Sequence, residues 1–247
     1  MRDNKELQSI YVSWKRVMIR LSRSKGRLFG TMFQPVLFLI TFGLGFRGVG
    51  GNLNFVLPGI LAMNAIMSSA MAGISVIWDK EFGFLKEILV APVSRVSAVI
   101  GRSLGAITTA IIQAIWISFL GILLGAKISY IGIFPALIFL ILTSTVSVGI
   151  GLAFSSMMSD FESFQVVHNL VIMPLIFLSS AFIDILTAPK WLAFIAKVNP
   201  FSYGIDGLRH SLMGNGAMNI FLDLGVILFF AIIATAISVF SFERIEV

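Results

Sequence analysis

The sequence predicts an all-α integral membrane protein of six transmembrane helices, and three observations lead there. Hydrophobic residues fill 57% of the 247 positions and charged residues only 12%, about half the charged share of a soluble domain. The apolar residues gather into long runs, and at roughly 20 residues per span the runs accommodate about six helices. A mean hydropathy of +0.98 leaves little chain for a soluble domain. The 22 glycines suit a membrane bundle, where small residues let helices approach closely.

Residues 1–27 precede the first apolar run and read as an amphipathic helix lying in the membrane interface. Leu7, Ile10, Tyr11, Trp14, Val17, Met18 and Leu21 recur at helical spacing, and Arg16, Arg20, Arg23 and Arg27 form a basic stripe. Tyr11 and Trp14 are natural interface anchors. The charge runs to Arg27 and the next apolar run is too long for a signal-peptide core, so no cleavable signal is expected.

Six spans follow, at 28–46, 55–78, 97–125, 131–156, 165–186 and 221–242. Pro35 interrupts the first and Pro58 sits in the first turn of the second. Arg102, in the first turns of the third, is placed to snorkel to the headgroups. Residues 157–164 make a short acidic connection carrying Asp160 and Glu162. Residues 187–220 are too apolar for an ordinary loop and read as two short helices, split at Pro200, dipping into the outer leaflet as a re-entrant element. Phe201, Ile205, Leu208 and Leu212 share one face there. Asp184, Asp206 and Asp223, with Lys190, Lys197 and Arg209, either pair and hold this element or are solvated.

Between the second and third spans, residues 79–95 form the densest charged patch after the N-terminus. Wound as a helix from Glu81 to Ala91, Phe82, Phe84, Leu85, Ile88, Leu89 and Ala91 cover about half the circumference, with Lys86 and Glu87 opposite. Glu81 falls within the apolar face, in the first turn, where the helix dipole favours it. Pro92 ends the helix.

The run Glu81-Phe82-Gly83-Phe84-Leu85-Lys86-Glu87-Ile88-Leu89-Val90-Ala91-Pro92-Val93-Ser94-Arg95, followed by Gly101-Arg102-Ser103-Leu104, resembles the permease subunits of ABC-2 type transporters. It is nearest in character to drug-resistance and polyketide-export permeases. Asn199-Pro200-Phe201 through Leu208-Arg209 is a second point of likeness. The resemblance implies that Glu81, Phe82, Phe84, Leu85, Lys86, Glu87, Ile88, Leu89 and Arg95 form a coupling helix docking into an ABC ATPase, with Asp160 and Glu162 as a second cytoplasmic contact. It also implies two ATPase subunits carrying the ATP and Mg²⁺, a dimer with itself or a similar permease, and an N-terminal helix on the cytoplasmic leaflet.

With the N-terminus inside, thirteen Lys and Arg fall on the cytoplasmic side and five outside, which sets both termini in the cytoplasm and the chain in the plasma membrane. The net charge of +6 sits beside lipid-length runs, so anionic headgroups explain it better than nucleic acid. No G-x-x-x-x-G-K-[ST] loop is present, no cysteine, and the two histidines lack a partner at metal-binding spacing. No enzymatic constellation or cofactor site is therefore expected in this chain.

Polar residues inside the spans mark what should face protein or water. Asn64, Ser68 and Ser69 of span two and Gln165, His168 and Asn169 of span five either make ordinary interhelical hydrogen bonds or, as the resemblance implies for spans two and five, line with Phe177 the candidate translocation path. Phe161, Phe164, Phe177 and Phe182 would give it an apolar wall, suiting an amphipathic or lipid-like cargo. Ala65, Ser69 and Gly73 make a small-residue row that lets a helix approach closely; the resemblance implies that span two lies at the dimer seam, with Gly101, Gly105 and Thr109 as the other choice. A channel, an ion-coupled carrier or an assembly scaffold stands as the alternative, although no charge lies where a coupling ion would bind.

Overall fold

The computed structural model describes residues 2–23, 25–45, 53–82 and 94–243, and every regular element among them is helical. Helix α1 is Arg2–Arg23 and α2 Lys25–Gly45. Then α3 (Leu53–Ala70) passes through a single 3₁₀ turn, Met71–Gly73, into α4 (Ile74–Glu81). Next come α5 (Arg95–Leu123), α6 (Ile133–Met157) and α7 (Phe161–Val167). A π turn, His168–Ile172, joins α7 to α8 (Met173–Phe177). Short helices α9 (Lys190–Val198) and α10 (Pro200–Met213) lead to α11 (Ile220–Glu243).

Four helical stretches among the described residues are long and apolar enough to cross a membrane: Leu53–Glu81, Arg95–Leu123, Ile133–Met157 and Ile220–Phe242. Gly30–Gly43 and Phe161–Phe177 are shorter apolar helices. The fifth expected span, 165–186, differs most. Its helix starts at Phe161 and stops at Phe177, and residues 178–189 run in turns and extended chain. Two local causes are visible. Asp160 caps the start, accepting from Ser163 N at 2.8 Å, and the Ser180 hydroxyl donates to the Ser202 carbonyl at 2.9 Å, tying the chain sideways to α10.

Close backbone contact holds the middle of the bundle. A Cβ on Gly73 would collide with the Gly151 carbonyl, and one on Gly151 with the Ala70 carbonyl. Four residues before Gly151, Ser147 donates to the Ile66 carbonyl at 2.6 Å across the same seam. The Ala65–Ser69–Gly73 row thus packs α3 and α4 against α6 of the same chain, a correction to its expected place at a dimer seam. Gly101 and Gly105 are used within the chain too: they receive Ser13, Ile10 and Val17 of α1. Trp14, expected as a lipid anchor, donates to Thr108 of α5 at 3.1 Å.

At the end away from the α4–α5 connection, α10 is built by its own sequence signals. Asn199 accepts from Phe201 N at 3.0 Å, Pro200 fills the first helical position, and Gly214 closes the helix at φ 74°. Phe201, Ile205, Leu208 and Leu212 are buried. So are Asp206 and Arg209, 3.7 Å apart, and for these two the paired reading holds, whereas the buried Asp223 carboxylate has no hydrogen-bond partner among the described residues. Asp206 accepts from the Ala217 and Met218 amides at 2.9 and 2.8 Å. Arg209 donates to the Ser180 carbonyl at 2.7 Å and lies 4.0 Å from the Phe55 ring centre.

Lipid accounts for the faces left outside. Ile115, Trp116, Phe119 and Leu123 of α5, with Phe221, Phe229 and Ile232 of α11, are exposed. Such faces suit hydrocarbon and not water.

Candidate functional site

Two arrangements with functional content lie along the face shared by α1, α3–α4 and α5. The first is an ion cluster where α4 ends and α5 begins. Asp79, 2% exposed, accepts from Arg102 at 2.6 Å and from Arg16 at 2.8 Å. One carboxylate therefore joins span two, span three and the N-terminal helix. Arg102, expected to snorkel to headgroups, is instead buried. It has Asp79 within reach and lies 5.5 Å from the Phe242 ring centre, and a paired guanidinium need not reach water.

Neighbouring side chains complete the clamp. Lys80 donates to the carbonyls of Ser155, Ser156 and Met158 at 3.2, 2.7 and 3.0 Å, satisfying orphan acceptors at the C-terminal end of α6. Glu6 accepts from the Ser94 amide at 3.1 Å and its hydroxyl at 2.7 Å, and from the Ser97 hydroxyl. That places a carboxylate at the N-terminus of α5, where the helix dipole favours it.

These contacts explain where Glu81 falls. It is the last residue of α4, exposed, with Phe82 just beyond it and 68% exposed. The expectation that Glu81 opens a new helix, within an apolar face, is corrected. The partners of Asp79 and Lys80 let the span-two helix run on through its first charges. Arg95 is the first residue of α5. Phe84, Leu85, Lys86, Glu87, Ile88 and Leu89 lie outside the described residues. Glu162 is exposed in the first turn of α7, four residues after Met158, whose carbonyl Lys80 holds. Asp160 caps α7, and the Ser163 amide and hydroxyl hold its carboxylate below the usual range.

The second arrangement is a cavity of about 880 Å³ lined by α1, α2, α3–α4, α5 and the π turn with its flanks. It gathers Asn64 and Ser68 from span two with Gln165 from α7 and His168 and Asn169 from the π turn, five of the seven path candidates. Asn64 donates to Gln113 of α5 at 2.9 Å. The π turn carries His168 and Asn169, and such turns re-aim side chains within a helix.

The other two candidates lie elsewhere. Ser69 faces away from the cavity and is fully buried, on the small-residue row that meets α6. Phe177 is half exposed and stacks on Phe182 with ring centres 5.5 Å apart. The expected phenylalanine wall is likewise not the lining: Phe164 is buried against the π turn, near His168. Met63, Met67, Met71 and Met173, with Phe38, supply the apolar wall instead. Met is not a polar signal in an apolar run, which is why the sequence pattern passed over it.

An all-helical bundle with four stretches long and apolar enough to cross a membrane, and with apolar outer faces, defines a multi-pass membrane protein. The chain belongs to the ABC-2 type transporter family, whose model matches residues 8–213. It is 30% identical over 217 residues to a ycf38 transport permease of Cyanophora paradoxa, covering 82% of this chain and 73% of that protein. It is 26% identical over 220 residues to the daunorubicin resistance ABC transporter permease DrrB1 of Streptomyces coeruleorubidus, covering 86% and 77%. Nodulation protein J of Rhizobium leguminosarum bv. viciae is 22% identical over 242 residues, covering 95% and 91%.

Proposed function

We propose that the chain is the permease subunit of an ATP-driven exporter in the plasma membrane. Two such subunits, or this one and a similar permease, sit side by side, and two ABC ATPase subunits bind below with their ATP and Mg²⁺. Cargo of amphipathic or lipid-like character passes along the cavity. The observation that carries this reading is the convergence of Asn64, Ser68, Gln165, His168 and Asn169, from separate parts of the sequence, on one cavity. Polar groups so placed in an apolar bundle serve a wetted route. The naming of relatives as drug-resistance permeases supports the export direction.

ATP-driven closure of the ATPase pair would push on residues 79–95 and the Asp160–Glu162 connection. The Asp79 and Lys80 contacts would pass that push to α1, α5 and α6. The tagged chain purified from its own cell's membranes in mild detergent is expected to bring an ABC ATPase with it and to hydrolyse Mg-ATP. Recovery of the chain with no ATPase would favour the channel or carrier reading.

Six spans with both termini inside give a second expected result. In this cysteine-free sequence, single cysteines at Asn52, Lys127 and Lys190 should react with an impermeant thiol reagent added outside intact cells. Cysteines at Lys86 and Glu162 should react only after the membrane is opened. Labelling of the Lys86 position from outside would reverse the orientation.

A further inference from the structure

The charge of the cavity wall is one-sided. Its lining includes four basic residues, Lys5, Arg16, Arg20 and Arg102, and one acid, Asp79. All five lie toward the α4–α5 end. Asp79 is already held by two arginines. Arg102, 6% exposed, gives one Nη to Asp79, while its Nη1 is buried without a hydrogen-bond partner among the described residues. Asp79 is the one acid among the described lining residues.

Farther in, the wall changes. Asn64 lies fifteen residues before Asp79 on nearly continuous helix, which is about 22 Å by helix rise. Between them the wall carries Met67, Ser68, Met71 and Ser75, together with Ala72, Ile74 and Trp78. Methionine is flexible and polarisable, and adapts to apolar chains of varied shape.

We propose that the cavity takes an amphiphile with an anionic head group, a phosphate, sulfate or carboxylate. The head lies among Lys5, Arg16, Arg20 and Arg102, and the apolar body along Met71, Met67 and Met63. This rests on the reading of the cavity as the transport path and names the class of cargo it selects. A cationic head would meet four basic residues against one acid, which raises the cost of the wrong partner.

Two fluorescent probes of equal chain length test this, a labelled dodecyl phosphate and the matching dodecyl trimethylammonium, titrated into the purified chain in a neutral maltoside. The phosphate is expected to bind at least tenfold more tightly at low salt, with the gap closing as salt rises. The double variant Lys5→Gln/Arg20→Gln leaves the Asp79 cluster intact. Arg20 also lies over the Trp78 ring, 5.2 Å from its centre, so the melting temperature should fall slightly while the gap between the probes narrows at least threefold. Equal or tighter binding of the ammonium probe, or a double variant that binds like wild type, would overturn the head-group assignment and leave the path standing. Saturation by neither probe would overturn the path as well. Displacement by dioleoylphosphatidylglycerol identifies a bilayer lipid as the occupant. Failure to displace identifies an amphiphile foreign to the bilayer, and both results uphold an anionic site.

Discussion

Asp79→Ala is expected to destabilise the protein more than any other single change at the α4–α5 end. It leaves the Arg102 guanidinium, 6% exposed, without its carboxylate, and breaking a buried pair on one side costs about 3–5 kcal/mol. The N-terminal helix loses its Arg16 contact at the same time. A fall in melting temperature on the order of 10 °C should follow, read by size-exclusion fluorescence on the detergent-solubilised protein. Asp79→Ala/Arg102→Met removes both charges and should recover most of that loss. Arg16→Ala should cost no more than about 1 kcal/mol, because the Arg16 side chain is 43% exposed. Equal losses for Asp79→Ala and Arg16→Ala would show that the Asp79–Arg102 pair is not what holds this end.

Gly151→Leu is expected to have the second largest effect. The Ala70 carbonyl occupies the space a Cβ would need, and a backbone atom cannot turn aside as a side chain can. Overpacking costs about 1–3 kcal/mol where neighbours relax, and here the relaxation must part α3 from α6. The Ser147 bond to the Ile66 carbonyl would be lost with it. Gly225→Leu on α11 is the control, since nothing lies within 4 Å of a Cβ there. The melting temperature should fall for Gly151→Leu and hold for Gly225→Leu. An unchanged Gly151→Leu would mean the two helices do not approach so closely.

Much of the fold was legible because lipid imposes a simple rule: long apolar runs become helices, and charges mark their ends. The rule fails where charges are partnered. Asp79 reads as the start of a connection, since an acid after an apolar run ordinarily meets water. The signal available was Arg102 in the first turns of the next span, at the same end of the bundle, where two opposite charges can bury each other. The fifth helix was overdrawn to residue 186 because Ser179, Ser180 and Phe182 fit the composition of a span. Composition does not record the Ser180–Ser202 hydrogen bonds that pull the chain sideways.

The candidate site was legible in its polar half only. Asn64, Ser68, Gln165, His168 and Asn169 stand out in apolar runs, whereas the methionine wall is hidden among ordinary hydrophobes. Gln113 was missed for want of its partner, Asn64, 49 residues away. The small-residue row showed that a helix would come close, but no periodicity could say whether it belonged to this chain or to a second copy.

Leu85→Asp tests most directly whether residues 79–95 transmit an ATPase's motion, as proposed. It would put a carboxylate into the apolar face proposed to fill a cleft in the partner, at a cost on the order of several kcal/mol if buried. Nucleotide hydrolysis and ATPase recovery should be measured together, on wild type and Leu85→Asp purified from the same membranes. The variant is expected to insert at the wild-type level and to lose most of the bound ATPase and its hydrolysis. Full recovery of both with Leu85→Asp would contradict the claim and leave this stretch a connection between two spans.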